Sequence, residues 1–355
     1  MYVITLTRYL GELSMKSRVL IVGCGGIGGV LTASWTDQPV ELWTVSRNRG
    51  VRETIQQDGL MCIRGRSRWR CQPRIVTDVD GIQFDLVVLT TQPTDVEMAA
   101  QQYGASLTHD GEILVLQNGL CENRVATVLG SEERVVGGVV AWGARTHSAG
   151  IVEQTSEGSI VVGTLSGRRP KQMALITSLF STVATVQWTD NLLGSRWTKL
   201  ILNCIVSSLG TLNGTHLGAI VRVLNGRRLG LEILAEGVAA ADAIGVDLEP
   251  VSGTINLRQL VLPTAPYGRR LTRAIYAHGV LLLVGFKYRK LYSSLLRAIQ
   301  SGRPPAIDFL NGELVQAGRS VGLTMTVNDA VCEKVHAFAR GQIEPGPHTI
   351  NELLC

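Results

Sequence analysis

Hydrophobic residues fall along this chain in two rhythms. In the first half they come as short, nearly unbroken runs, RVLIV at 18–22, DLVVLT at 85–90 and EILVLQ at 112–117, and residues 40–45 alternate enough to join them as a strand. Apolar runs without alternation are what strands require in a sheet covered on both faces. Helical spacing extends from the glycine-rich stretch after the first run to about residue 36, and recurs over 95–103. Strand, helix, strand, helix with short connections predicts a parallel sheet of crossover units.

From 134 to 164 the pattern shortens. RVVGGVVAW, GIVEQT and SIVVGT predict brief strands, hairpin-like additions to the sheet, before a helix at 171–182 and a last strand at 183–188. Beyond residue 190 the strand signal fades. Helical spacing predicts helices at 192–209, 224–244, 288–299, 306–321 and 328–340. The expected organisation is a loose extension at 1–14, with Met15 as an alternative start, then an α/β domain at 15–189, a helical domain at 190–342 and a loose tail at 343–355.

Composition narrows the class. Across 355 residues 45% are hydrophobic and 18% charged, which excludes disorder as the dominant state. The net charge of +5 is mild, and RGRSRWR at 64–70 is the one dense basic stretch. Its four arginines fall on a predicted surface hairpin and read as a solvated face, with an RNA or anion contact as the weaker alternative. The most apolar run, 279–286, is far below the ~20 residues of a membrane-spanning helix. An export signal is not evident at the N-terminus, so a cytoplasmic protein without membrane or nucleic-acid partners is expected. The seven cysteines are scattered and form no CxxC pair, and the six histidines show no ligand spacing, so neither a metal site nor a disulfide framework is expected. Trp142 and Trp188 are expected in the core.

The chemistry begins at Gly23, Gly25 and Gly28, a GxGxxG stretch following the first strand and opening a helix. In that context the first glycine permits the tight turn, the second lets the backbone approach a pyrophosphate, and the third lets helix and strand pack closely. The helix N-terminus adds unpaired N–H groups and partial positive charge. The fold class expected is therefore an α/β Rossmann-type N-terminal domain with an all-α C-terminal domain. At the end of the second strand stand Ser46, Arg47, Asn48 and Arg49, with no acidic residue to bond a ribose hydroxyl. Guanidinium groups there suit a 2′-phosphate, so NADP(H) is favoured over NAD.

Further motifs follow in order: Gln117-Asn118-Gly119 after a late strand, Trp197-Thr198-Lys199-Leu200 with Asn203, Ser293-Ser294, and Ile307-Asp308-Phe309-Leu310-Asn311-Gly312. With the glycine turn and Arg47, this series resembles the ketopantoate reductase (2-dehydropantoate 2-reductase) family from about residue 18 to residue 340. The resemblance implies a helical domain, a cleft beside it, and reduction of a 2-oxo acid to a 2-hydroxy acid with NADPH. It carries the catalytic lysine onto Lys199, the substrate- and cofactor-contacting asparagines onto Asn118 and Asn203, and the carboxylate-binding serine onto Ser294. Cofactor contacts fall on Gly23, Cys24, Gly25, Gly26, Ile27 and Gly28, on Ser46 and Arg47, and on Thr91, Gln92 and Asn118. Substrate contacts fall on Asn203, Ser207, Ser294, Ala306 and Asp308. A small-molecule substrate is the expected partner. A homodimer is consistent with the resemblance and does not follow from the residues.

The residues bear on these roles independently. Lys199 and Asn203 are i and i+4 on one predicted helix and share a face. An ammonium there could stabilise the negative charge that builds on a carbonyl oxygen and supply its proton; the alternative is a solvated helix lysine. Ser294 reads equally as a helix N-cap. Asp308 reads as a helix cap or a site residue, and Asn311, a turn along, as facing the same cleft.

Four positions depart from the family pattern. Gln92 stands where the family has lysine, Ala306 where it has the glutamate that binds the substrate's hydroxyl side, Ala298 at another acidic position, and Ser207 in place of an asparagine. These changes weaken recognition of a substrate hydroxyl more than they weaken hydride transfer. The reading is a diverged reductase acting on a different 2-oxo acid, ketone or imine. The competing one is a non-redox relative that keeps NADP(H) as a structural or sensing ligand.

Overall fold

A glycine-rich helix start held between two sheets organises the first half of the chain. The structure, a computed structural model, describes residues 17–250, 256–262, 267–287, 289 and 291–354, with the side chains of 267–270 and 287 left out. The expected extension at 1–14, Met15 and Tyr288 lie outside the described residues. The chain divides into two units. One comprises residues through Gln117 together with Cys121–Leu192; the other comprises Asn118–Leu120 and everything from Leu193.

The first unit holds the strands β1 (Arg18–Val22), β2 (Glu41–Val45), β3 (Leu60–Arg64), β4 (Ser67–Cys71), β5 (Ile75–Val76), β6 (Phe84–Leu89), β7 (Leu107–Val115), β8 (Val135–Val140), β9 (Gly143–Ser148), β10 (Ile151–Ser156), β11 (Ser159–Thr164) and β12 (Thr185–Trp188). Eight of them make one sheet in the order β12-β11-β8-β7-β6-β1-β2-β5. Every pairing in it is parallel except β8 with β11. The expected crossover sheet is present, and SIVVGT joins it antiparallel. GIVEQT does not: β10 pairs with β3 and β9 in a second, four-stranded sheet, β4-β3-β10-β9. Local pattern cannot tell which sheet a short strand joins, because that pairing is set by tertiary contact.

Helices α1 (Gly26–Trp35), α2 (Arg49–Asp58), α3 (Val96–Gly104), α4 (Cys121–Leu129) and α5 (Met173–Phe180) complete the unit. Trp35 closes α1 by donating from Nε1 to the Leu179 carbonyl at 2.8 Å and meeting Phe180 edge to face. Glu112 is only 1% exposed; its carboxylate accepts from the Lys171 and Gln172 amides, both at 2.9 Å, just ahead of α5. The arginine-rich stretch is the β3–β4 hairpin, as expected, with Arg66, Arg68 and Arg70 exposed and Arg64 half-buried. Arg64 donates to Thr182 O and Ser34 Oγ, and Arg70 donates to Asp58 O. Trp142 is buried, whereas Trp188, expected in the core, is 44% exposed because β12 is the sheet's outermost strand.

The second unit is helical: α6 (Leu192–Asn213), α7 (Leu217–Ile220), α8 (Leu224–Ile244), α9 (Tyr267–Lys287), α10 (Ser294–Gln300), α11 (Asn311–Ser320), α12 (Thr326–Ala339) and α13 (Pro347–Glu352). Two differences from expectation stand out. Helix α9 covers a stretch for which the sequence predicts no helix, only the apolar run at 279–286. The tail expected to be loose forms α13, with Pro347 in its first turn and Thr349 and Ile350 buried.

A buried polar chain ties this unit together. Ser208 donates to Asn311 Oδ1 at 2.7 Å, Asn311 Nδ2 to Asn328 Oδ1 at 2.9 Å, and Asn328 Nδ2 to Glu236 Oε2 at 2.8 Å. Glu236 also accepts the Val327 and Asn328 amides, satisfying the first turn of α12. Asn311, expected to face a cleft, is therefore a fully buried link between α6 and α12. Replacing it would strand a hydroxyl and an amide in the interior. Asn311→Ala is expected to lower unfolding free energy by about 2–3 kcal/mol in urea titrations monitored by circular dichroism; an unchanged midpoint would show the chain to be dispensable.

Candidate active site

The glycine turn at the carboxyl end of β1 is crowded at every glycine but one. Gly23 has φ +106°, and a Cβ on it would meet Thr90 Oγ1 at 2.9 Å. Thr90 Oγ1 bonds the carbonyls of Val22 and Gly23 at 3.0 and 2.9 Å, and Gly23 N donates to Val45 O, so the turn is pinned to β6 and β2. At Gly28 a Cβ would lie 2.1 Å from Gly23 O, which fixes how closely α1 packs on the turn. Gly26 and Gly29 face the second sheet, where a Cβ would press on Ala144 and Val152. Gly25 is the exception: it is exposed, a Cβ there meets nothing within 4 Å, and as N-cap of α1 it brings no side-chain cap. The start of α1 is thus uncapped and carries no side chain over it, and uncapped helix starts are where phosphates are accepted. Cys24 is buried and Ile27 half-buried against the core, so both act by packing.

A hollow beside this turn is lined by Gly23, Val45, Arg47, Thr91, Asp95 and Tyr103. Arg47 is exposed and donates to Asp95 at 2.5 Å. Ser46 is buried, and its carbonyl accepts from Arg52. Asn48 caps α2 through Oδ1 to the Val51 amide, while Arg49 is spent on Glu53 four residues along. Of the two arginines singled out, only Arg47 lines the hollow. Thr91 Oγ1 accepts from Gln117 Nε2 at 3.0 Å; Gln92 is exposed and gives no side-chain cap to the following turn.

In the helical unit, α6 carries Ser195, Lys199 and Asn203 at successive i, i+4 positions, one row along the helix. Lys199 is half-buried. Asn203 Nδ2 is shielded from solvent and has no hydrogen-bond partner among the described residues. Asn118 is exposed at the 118–120 turn, where Gly119 (φ +92°) would place a Cβ 2.6 Å from Phe309 O. That contact seats Asn118 on the turn Ile307–Phe309 of the same unit.

The remaining expected residues separate. Ser293, not Ser294, caps α10, accepting from the Leu295 and Leu296 amides at 3.1 and 3.3 Å; Ser294 is the exposed first residue of that helix. Ser207 is buried, its carbonyl accepting from Thr211 and Ser293. Ala306 and Ala298 are half-buried. Asp308 caps nothing: it sits exposed within the turn Ile307–Phe309 and bonds His336 Nε2 at 2.9 Å. One group the sequence reading missed is Glu249. Its carboxylate accepts from Ser195 Oγ, and its carbonyl from Thr198 Oγ1 at 2.6 Å. The αL cap at Gly245 and the buried pair Val246 and Leu248 fix that loop, but no local motif marks the carboxylate.

Comparison with known proteins gives a consistent picture. Residues 19–167 match the family model described as ketopantoate reductase PanE/ApbA, and residues 191–339 match its C-terminal model. A 2-dehydropantoate 2-reductase of Pyrococcus horikoshii is 24% identical over 314 residues, covering 88% of this chain and 94% of that protein. A PanE/ApbA family ketopantoate reductase from Ralstonia eutropha JMP134 superposes with a TM-score of 0.76 at 22% identity, over 92% of this chain and 99% of that one. D-mandelate dehydrogenase, solved with NADH and anilino(oxo)acetate, gives a TM-score of 0.76 at 19% identity, over 92% and 99%. At these identities the structural likeness is one of fold.

Burial pushes the Cys24 thiol up to about 12, with Cys71 adding to it, and the Cys332 thiol likewise to about 12. At pH 8 an ordinary thiol is about one-quarter thiolate, and one at about 12 is about one part in ten thousand. Raising the pKa favours the unreactive form across the neutral range. Brief iodoacetamide treatment of the folded protein at pH 8 is expected to leave Cys24 and Cys332 unlabelled by peptide mass spectrometry, whereas urea exposes both. Native labelling of Cys24 would contradict its packing role.

Proposed function

The chain belongs to the ketopantoate reductase PanE/ApbA family, and on that premise we propose that it is an NADPH-dependent reductase of a 2-oxo acid or related carbonyl compound. The observation that carries the proposal is the open, uncapped start of α1 at Gly25, where a side chain would meet no atom. It fits a dinucleotide pyrophosphate, whose charge the helix N-terminus favours. Arg47, at the hollow beside Gly23, suits a 2′-phosphate by charge-assisted hydrogen bonding, and the partner it would have to share is Asp95. The bound nicotinamide supplies the hydride.

The chain's own contribution is then proton and position. As a carbonyl carbon gains a hydride its oxygen becomes negative. The Lys199 ammonium stabilises that oxygen and gives it a proton, leaving a hydroxyl and a neutral amine that solvent reprotonates. Asn203, a turn along, donates its unpartnered Nδ2 to a substrate oxygen. Asn118, exposed on its seat against Phe309, adds a second amide to the same unit. Ala306 and Ala298 offer no carboxylate to a substrate hydroxyl, which supports a 2-oxo acid other than ketopantoate as substrate.

Lys199→Ala is expected to lower kcat by about 10²–10⁴-fold while fluorescence titration shows NADPH still bound; unchanged turnover would refute the assignment. Arg47→Ala is expected to weaken NADPH by about tenfold and to leave NADH within about twofold, since a bond to a charged group contributes about 1.5–3 kcal/mol. Wild type assayed with NADPH over a panel of 2-oxo acids should prefer a member other than ketopantoate. NADPH binding without turnover of any carbonyl or imine would favour the non-redox reading instead.

A further inference from the structure

Helix α6 presents more than a lysine and an amide. The row that carries Lys199 and Asn203 begins one turn earlier at Ser195, whose hydroxyl holds the carboxylate of Glu249. Glu249 reaches that place from the loop after α8, and a second bond, Thr198 Oγ1 to the Glu249 carbonyl at 2.6 Å, anchors the loop on the same helix. The anchoring is specific to this acid. Asp242 and Asp247, on α8 and the same loop, are both engaged by Arg258, at 2.8 and 3.3 Å. Side chains four residues apart on a helix have Cβ atoms about 5–6 Å apart. A carboxylate fixed on Ser195 therefore stands within reach of the Lys199 ammonium.

On the reading that Lys199 is the proton donor, we infer that Glu249 is its positioning residue. The carboxylate is the counter-charge that keeps the Lys199 ammonium protonated and aimed along the α6 row, and Ser195 is the tether that holds the carboxylate there. The proton still leaves from Lys199 Nζ; Glu249 touches neither substrate nor cofactor in this role. An opposite charge favours the charged form of an amine, so removing it loosens the side chain and makes deprotonation easier.

The test is Glu249→Gln, which keeps an acceptor for Ser195 and removes the charge. In steady-state assays with NADPH and the best 2-oxo acid, kcat is expected to fall roughly ten- to hundred-fold, the scale of a misplaced catalytic group. KM for the acid and NADPH affinity should stay within about threefold, and Glu249→Asp should recover part of the loss. A rise in KM at constant kcat would overturn the proposal by making Glu249 a substrate contact. A turnover-independent readout uses the fact that the chain has only six lysines. After ¹³C reductive methylation, with Lys199→Arg assigning the signal, the Lys199 resonance is expected to titrate at lower pH in Glu249→Gln than in wild type. An unchanged titration overturns the pairing. Should wild type reduce no carbonyl at all, the functional reading falls while the resonance still decides whether the pair exists.

Discussion

The first unit depends on one steric constraint: α1 must begin where almost no atom can be added. Three of its glycines each face a different neighbour. Gly28 lies against the Gly23 carbonyl, Gly26 against the Ala144 backbone and Gly29 against Val152. The helix is wedged between the turn after β1 and the second sheet, and any side chain at these positions would push them apart. Gly25 alone escapes that pressure. The same crowding that fixes the helix leaves its start at Gly25 without a side chain or a side-chain cap, so the bareness of that start follows from packing.

Elsewhere, carboxylates reach from a distance to complete helix starts. Glu112 serves the amides ahead of α5 across about sixty positions, and Glu236 serves α12 across about ninety. Each is a buried or half-buried anion stabilised by backbone N–H donors and a helix dipole, which makes its burial tolerable. Glu249 belongs to the same class of remote contact, held by the hydroxyls of Ser195 and Thr198 in the first two turns of α6.

What could be read from residue order was whatever rests on local spacing. The strand at 18–22, the helix at 224–244 and the glycine turn were each legible because period and punctuation agree. The i, i+4 relation of Lys199 and Asn203 was legible for the same reason. Choices made by tertiary contact were not. GIVEQT reads as a strand but carries no mark of the sheet it joins, and Ser293 and Ser294 are equivalent caps until the entry angle of α10 selects one. Helix α9 was hidden by Gly279 and Gly285, whose cost to helix propensity is offset at Gly285 by a close approach to Val221. Glu249 was hidden for a simpler reason: an acid in a loop becomes notable only once its neighbour in space is known.

The turn at 118–120 carries a consequence for modularity. These three residues sit between β7 and α4 in sequence, yet they belong with the helices, where Gly119 seats under the Phe309 carbonyl. The backbone therefore changes allegiance at 117/118, again at 120/121 and a third time after Leu192. A helical unit that borrows part of its fabric from the middle of the other cannot be exchanged as a cassette at a single junction. Any shuffling of such halves between relatives, by recombination or by design, must carry the borrowed loop with the helices or leave Phe309 facing a foreign partner.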